Sequence, residues 1–226
     1  MVNSLLESLP ADEASRILPE LQLVALESRK VLYEQGQAIG HVYFPITGMI
    51  SLLRQMDDRT VVETGAVGCE GMLGLSVFLG VRTSDSLCRV QVTGEAWRVS
   101  SEAFLRLVDA NYGLSGAVGL YTAASLAAAL QLAACNLLHP LNQRCARSLL
   151  AIHDHVTEDE LLLTHEQLAQ MLGVRRAGVT AALGVLQARR VLTSRRGVIT
   201  ILDRQRLEAE ACECGAVIRA FYAPQS

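Results

Sequence analysis

LLTHEQLAQMLGVRRAGVTAALGVLQARRVLTSRRGVITILD, residues 162–203, is the stretch on which the fold turns. Thr164 followed three residues later by Gln167 makes a capping box. The hydroxyl accepts from the Gln167 backbone N–H, and the Gln167 side chain reaches back. A helix from Thr164 to Leu172 ends at Gly173, which suits the left-handed turn that closes a helix sharply. A second helix is predicted from about Arg175 to Arg190. Leu168, Ala169, Leu172, Val174, Val179, Leu183 and Leu186 have the spacing that packs two crossed helices. VLTSRRGVITILD then reads as two short strands around Arg195-Arg196-Gly197. Two crossed helices followed by a hairpin form a helix-turn-helix with a β-wing.

Charge singles out the same segment. The 226-residue chain has a net charge of −3. Residues 1–110 carry −5, residues 111–163 carry −2 and residues 207–226 carry −2, whereas residues 164–206 carry +6. One basic segment in an acidic chain is the footprint of a local anionic partner, and double-stranded DNA is the first candidate. The second helix would lie in the major groove, with Arg175, Arg176 and Thr180 at base edges. The arginine fork matches guanine O6 and N7 together. Arg195 and Arg196 of the wing would sit near phosphates, assisted by Arg189 or Arg190. Thr164 and His165, at the start of the first helix, would donate to the DNA backbone. The plainer alternative is a solvated basic face on a helical subdomain. Cap, turn glycine, helix spacing, basic excess and wing all favour DNA.

Towards the N-terminus the pattern changes twice. LNQRCARSLLAIHDHV is an amphipathic helix, followed by an acidic turn, TEDEL. Ahead of Pro140 lies a long Ala/Leu helix, from about Leu114 to Leu138. It is apolar on more than one face and needs two surfaces to cover it. One is its own β-domain and the other a second copy, so a homodimer is expected. SSEAFLRLVDA is a helix with Ser100 or Ser101 as N-cap. From Gln22 to about Val99 short alternating runs rich in Val, Leu, Thr and Tyr are separated by turn residues, the pattern of a β-sandwich or barrel. LLESLPADEASRILPEL at the start is helical. The expected class is α+β. Residues 1–110 form a β-roll sensor domain, 111–139 a dimerisation helix, and 140–226 the winged helix-turn-helix domain.

Other classes are set aside on the same grounds. No uninterrupted apolar run reaches the roughly 18 residues of a membrane span, and AASLAAALQLAAC, which carries Gln131, is too short. MVNSLLESLPADEA lacks the basic and apolar regions of a signal peptide. A cytoplasmic protein with no membrane partner is expected. No Ser/His/Asp or Cys/His arrangement points to an enzyme. The six cysteines are scattered among apolar neighbours and read as reduced and mostly buried. Cys212-Glu-Cys214 is the tight pair. Two cysteines alone do not make a structural zinc site, which takes four ligands, and no metal is expected. His153 and His155 point to different faces of a helix and read as ordinary polar positions.

The order of these parts resembles the Crp/Fnr family of bacterial transcription regulators, with its N-terminal β-roll, dimer helix and C-terminal winged helix-turn-helix. LTHEQLAQMLGVRRAGVTAALGVLQARRVLTSRRGVITI is similar to the family's recognition-helix pattern. The resemblance implies a dimer that binds a near-palindromic site and contacts RNA polymerase, with an effector in the β-roll. It places Arg176 on the family's base-contacting arginine. Ala177 stands where well-known members have Glu, Ala181 where some have a second Arg, and Arg175 where a Ser usually starts the helix. Losing the Glu removes an acceptor for cytosine N4, so the usual half-site is not expected.

The effector candidates follow from the family's chemistries. An iron–sulfur sensor needs about four arranged cysteines near the N-terminus, and a haem sensor needs an axial ligand. Cys69 is the first cysteine and His41 is the lone histidine of the β-roll, so neither is favoured. A cyclic nucleotide remains. The family's cassette uses a Glu for the ribose hydroxyl and an Arg-Ser/Thr pair for the phosphate. Here the candidate pocket is Glu70, Gly71, Met72, Leu73 and Gly74, with Arg82 and Thr83. Met72 stands where the Glu belongs and cannot accept a hydrogen bond. Counted forward from Gly71, Arg82-Thr83 fills the phosphate position; counted back from CRVQVTGEAWRV, Ser84-Asp85 does. The reading is a degenerate cassette whose small-molecule effector is unidentified, with no resident cofactor. The alternatives are a cyclic-nucleotide-responsive activator and, from another class, a ligand-binding or scaffolding protein that contacts no DNA.

Overall fold

The structure is a computed structural model and describes residues 3–58 and 60–223. The chain divides into two compact units, residues 1–55 with 65–126 and residues 56–64 with 127–226. The division at 126–127 falls inside the long helix that begins at Tyr112, so that helix is shared by both units.

The first unit opens with short helices α1 (Ser4–Glu7) and α2 (Ala11–Ile17). Strands β1 (Gln22–Leu26), β2 (Val31–Tyr33), β3 (His41–Pro45), β4 (Met49–Gln55) and β5 (Val61–Val67), whose first four residues count with the second unit, follow. After α3 (Leu75–Phe78) come β6 (Leu87–Val92), β7 (Gly94–Ser100) and α4 (Ser101–Ala110). The strands form two sheets, ordered β1-β7-β3 and β2-β6-β4-β5. In β6 alternation decides which side chains face inward, burying Cys88 and Val90; Ile50 and Leu53 of β4 and Ala96 and Val99 of β7 are buried as well. Helix α4 is capped by the Ser100 hydroxyl, which accepts from Ala103 N–H, and its Phe104 ring packs 6.2 Å from Phe44. This is the expected β-roll.

Helix α5 (Tyr112–Leu138) is 27 residues long. The Glu13 carboxylate closes its first turn, accepting from Gly113 N–H at 2.9 Å and Leu114 N–H at 3.0 Å. A carboxylate there also meets the positive end of the helix dipole. Leu114, Val118, Tyr121, Ala128 and Cys135 form its buried stripe. Leu120, Leu126, Leu130 and Leu137 are exposed on other faces. By length and composition α5 is apolar enough to cross a membrane, and only 22% of its most apolar window is buried. The sequence argument that the apolar region is too short is therefore corrected: the helix extends beyond AASLAAALQLAAC at both ends.

The second unit continues with α6 (Leu141–His153), β8 (Glu160–Leu162), α7 (His165–Leu172), α8 (Arg176–Ala188), β9 (Leu192–Arg195) and β10 (Val198–Ile201). It closes with α9 (Arg204–Glu210) and α10 (Cys214–Tyr222). The wing has three strands, ordered β8-β10-β9. The acidic turn expected over residues 157–161 is shorter than its sequence suggests, because the chain enters β8 at Glu160. Of the positions expected to pack the two helices, all but Val174 are buried.

Candidate DNA interface and effector turn

The capping box forms as read. Thr164 accepts from Gln167 N–H, and the Gln167 side chain accepts from Thr164 N–H. Gly173 adopts φ 63°, ψ 38°, and turns the chain into α8. Arg144 Nη2 donates to Leu172 O at 2.7 Å and satisfies one of the carbonyls left open where α7 stops. These contacts fix the crossing of α7 and α8 and so the direction in which α8 presents its outer face.

That face consists of Arg176, Ala177, Thr180, Ala181 and Gly184, all exposed. Arg175 is the N-cap residue of α8 and supplies no side-chain cap. Where a Ser would close the helix, an arginine leaves its first N–H groups open. Arg175, Arg176, Arg195 and Arg196 are exposed, and none has a carboxylate partner among the described residues. Arg196 and Gly197 have φ of 50° and 84°. With Arg195 paired to Val198, they form a two-residue hairpin loop of the mirror-image type that matches strand twist. The loop sets Arg196 at the wing tip.

Three of the residues expected at the DNA have side-chain partners within the protein. Arg189 donates to Glu210 at 2.6 Å, and that hydrogen bond with its charge raises the guanidinium pKa. This ion pair takes Arg189 out of the set of free cations. His165 and Thr180 are bonded to each other, Nδ1 to Oγ1, at 2.9 Å. His165 Nε2 also meets Ser194 Oγ at 2.8 Å. His165 thus ties the start of α7 to α8 and to the wing, a positioning role that sequence spacing could not reveal. Ser194 was not singled out at all; its position beside the wing arginines was the available signal.

The turn at residues 68–74 is held by its own chain. Asn3, fully buried, donates through Nδ2 to Gly71 O at 2.7 Å and to Pro45 O at 2.9 Å. Ser4 N–H donates to Cys69 O at 2.7 Å. Leu73 and Tyr43 exchange backbone hydrogen bonds of 2.8 and 3.0 Å. Glu70 turns back to accept from Gly68 N–H at 2.7 Å, so it does not substitute for the missing ribose acceptor. Met72 is 1% exposed and belongs to the core. A Cβ on Gly71 would lie 2.0 Å from the Tyr121 ring, so only glycine fits beneath it. Gly74 has φ 103°. Asn3 and Tyr121 are functional neighbours that sequence reading missed.

The competing phosphate positions separate by burial. Arg82 and Thr83 are exposed, and their backbone joins residues 38 and 39. Ser84 is buried, donating to Ser86 O at 2.6 Å. Asp85 is exposed and pairs with Arg54 at 3.0 Å. Ser84 faces inward without a charge, and Asp85 faces outward.

Comparison with known proteins agrees with this construction. Residues 23–111 match the family model of the cyclic nucleotide-binding domain, and residues 143–210 match that of the Crp-like helix-turn-helix domain. Similar solved structures include a Crp/Fnr-family regulator from Eubacterium rectale, with a TM-score of 0.71 and 20% identity over 91% of this chain and 96% of that one. The c-di-GMP responsive global regulator CLP of Xanthomonas campestris gives 0.67 and 22% identity, over 85% of this chain and 99% of its own. TTHB099, a CRP-family regulator of Thermus thermophilus, gives 0.70 and 16%, over 83% and 96%. No curated protein matches the sequence at a significant level. The neighbours share the fold, and the two matched domains, in this order, place the chain in the Crp/Fnr family of DNA-binding transcription regulators.

Proposed function

We propose that the chain regulates transcription as a homodimer joined along α5, and that its β-roll does not take cyclic AMP or cyclic GMP in the family's manner. Arg175 and Arg176 read base edges, and Arg195 and Arg196 hold phosphates. His165, Thr180 and Ser194 fix the angle between recognition helix and wing. Contact with RNA polymerase is part of this reading.

The observation that carries the effector half is the closed turn at Gly71. The two carbonyls at Cys69 and Gly71 are already bonded, the ring of Tyr121 lies on Gly71, and Met72 offers no acceptor. A nucleotide would have to displace these contacts and leave its ribose hydroxyls without the usual partner. The second reading, a cyclic-nucleotide-responsive activator, draws on Arg82, which is exposed and unpaired among the described residues. Calorimetric titration of the full chain with cyclic AMP, cyclic GMP and cyclic di-GMP decides between them. The expected result is no heat from the two mononucleotides. Tight binding of either, lost in Arg82→Ala, establishes the second reading instead. The DNA half is tested by a mobility-shift assay on the region upstream of the protein's own gene.

A further inference from the structure

We propose that Cys135, His139, Cys212 and Cys214 form a tetrahedral site for one zinc-class divalent ion, which clasps the C-terminal segment onto the end of α5. In sequence these residues are two remote pairs. Cys135 and His139 are four apart, and His139 N–H donates to Cys135 O at 3.1 Å, so the helical geometry of α5 carries both side chains on one face. Cys212 and Cys214 lie in the joint between α9 and α10. The fold brings all four donor atoms within 4.8 Å of one another.

Two of the six donor pairs already have the spacing of ligands on a single ion. Cys135 and Cys212 have their sulfurs 3.5 Å apart, and Cys214 Sγ lies 3.5 Å from His139 Nδ1. Zinc bonds of about 2.0–2.3 Å at tetrahedral angles place neighbouring ligand atoms roughly 3.3–3.8 Å apart. A multi-iron cluster attaches its thiolates to different irons and needs them further apart. Three soft thiolates and one imidazole select zinc over hard cations such as magnesium or calcium.

The surroundings match what a metal site requires beyond its ligands. His139 Nε2 lies 3.3 Å from the Glu213 carboxylate, so Nδ1 is left to face the thiols. This is the carboxylate–histidine arrangement that orients a metal-bound imidazole. Gln131 Nε2 donates to Cys214 Sγ at 3.1 Å. The three cysteines are 0%, 7% and 0% exposed, which shields the site from water. Three thiolates on a divalent ion leave one net negative charge. Arg147, packed 3.4 Å from the Cβ position of Gly215, stands beside them with a buried Nε that has no hydrogen-bond partner among the described residues. Cys88 and Cys145 are buried without such company, and they serve as internal controls.

The test uses the full chain, expressed without a polyhistidine tag and purified under reducing conditions. Elemental analysis is expected to give about one zinc per chain. Cobalt titrated into chelator-stripped protein should saturate at one equivalent, with the thiolate-to-metal charge-transfer band and the intense visible bands of tetrahedral cobalt. Cys214→Ser and Cys135→Ser should lose that band, with circular dichroism confirming that each variant is folded, while Cys88→Ser keeps it. Glu213→Gln should weaken metal affinity about 10–100-fold. Amide exchange should quicken across residues 212–222 on chelation, and return with zinc. A chain that takes up no cobalt, a band that survives Cys214→Ser, or a Cys135–Cys212 disulfide in protein purified without air would each overturn the proposal.

Discussion

Arg196 holds a backbone conformation, φ 50°, that costs a side chain with a Cβ about 1 kcal/mol or more. Asn adopts it more readily than Arg, and Asn-Gly is the preferred pair for this loop. Arg196→Asn therefore separates charge from structure. Thermal stability should hold or rise, while DNA affinity falls alike for all sequences. Arg176→Ala should instead cost about 1–3 kcal/mol and relax base preference. Equal, uniform losses from both variants would remove the division of labour between helix and wing. Arg175→Ser tests the open helix end: a side-chain cap is worth about 1 kcal/mol, so the melting temperature should rise while DNA binding weakens. Burial sets a different property at Cys88 and Cys145, whose thiols are both pushed up to about 12. Their folded values lie above the unfolded one, so the stability they contribute is full below about pH 8.5 and lost as pH rises towards 12. At pH 9 iodoacetamide should leave both unmodified in the native chain and label both after denaturation, read by peptide mass.

At the scale of elements, α5 carries two apolar stripes, one buried and one exposed. Leu114, Val118, Tyr121, Ala128 and Cys135 repeat at three, four or seven residues and are buried by the chain itself. Leu120, Leu130 and Leu137 are 62%, 64% and 86% exposed, and with Ala123 and Ala133 they follow a second seam of the same period. A seam of this spacing is what a parallel partner helix covers. Leu130→Glu places a charge in it and should turn the dimer into a monomer by sedimentation, with the β-roll still folded. A dimer that persists moves the interface elsewhere. Elements of this kind were legible in the sequence because periodicity, caps and turn residues act over a few residues. The capping box at Thr164, the glycine stop at 173 and the strand pairs of the wing are all local. The closure of the effector turn was not legible, since Asn3 and Tyr121 reach Gly71 from far along the chain. Cys135 and His139 were hidden from the Cys212–Cys214 pair for the same reason. One signal was there to use: a Cys and a His four apart near the end of a helix.

At the scale of the whole molecule the question is how a chain of net charge −3 binds a polyanion at all. Its single basic segment must act locally, within a Debye length of about 8 Å at physiological salt, while the rest of the surface repels DNA. The count of free cations then sets the salt dependence. Arg189 is paired with Glu210, and on the reading proposed above Arg195 and Arg196 of each wing carry the main phosphate contacts. A dimer so built makes few ionic contacts, each adding roughly −0.9 to the slope of log affinity against log salt. Arg196→Asn should reduce the slope by about two per dimer, one for each protomer, because both wings lose a phosphate contact. Arg189→Ala should leave it unchanged, since that guanidinium is already paired. A flat wild-type response would favour a winged helix that contacts protein rather than DNA. A slope that falls with Arg189→Ala would mean that the Glu210 pair opens on the duplex and that α8 meets phosphates at both of its ends.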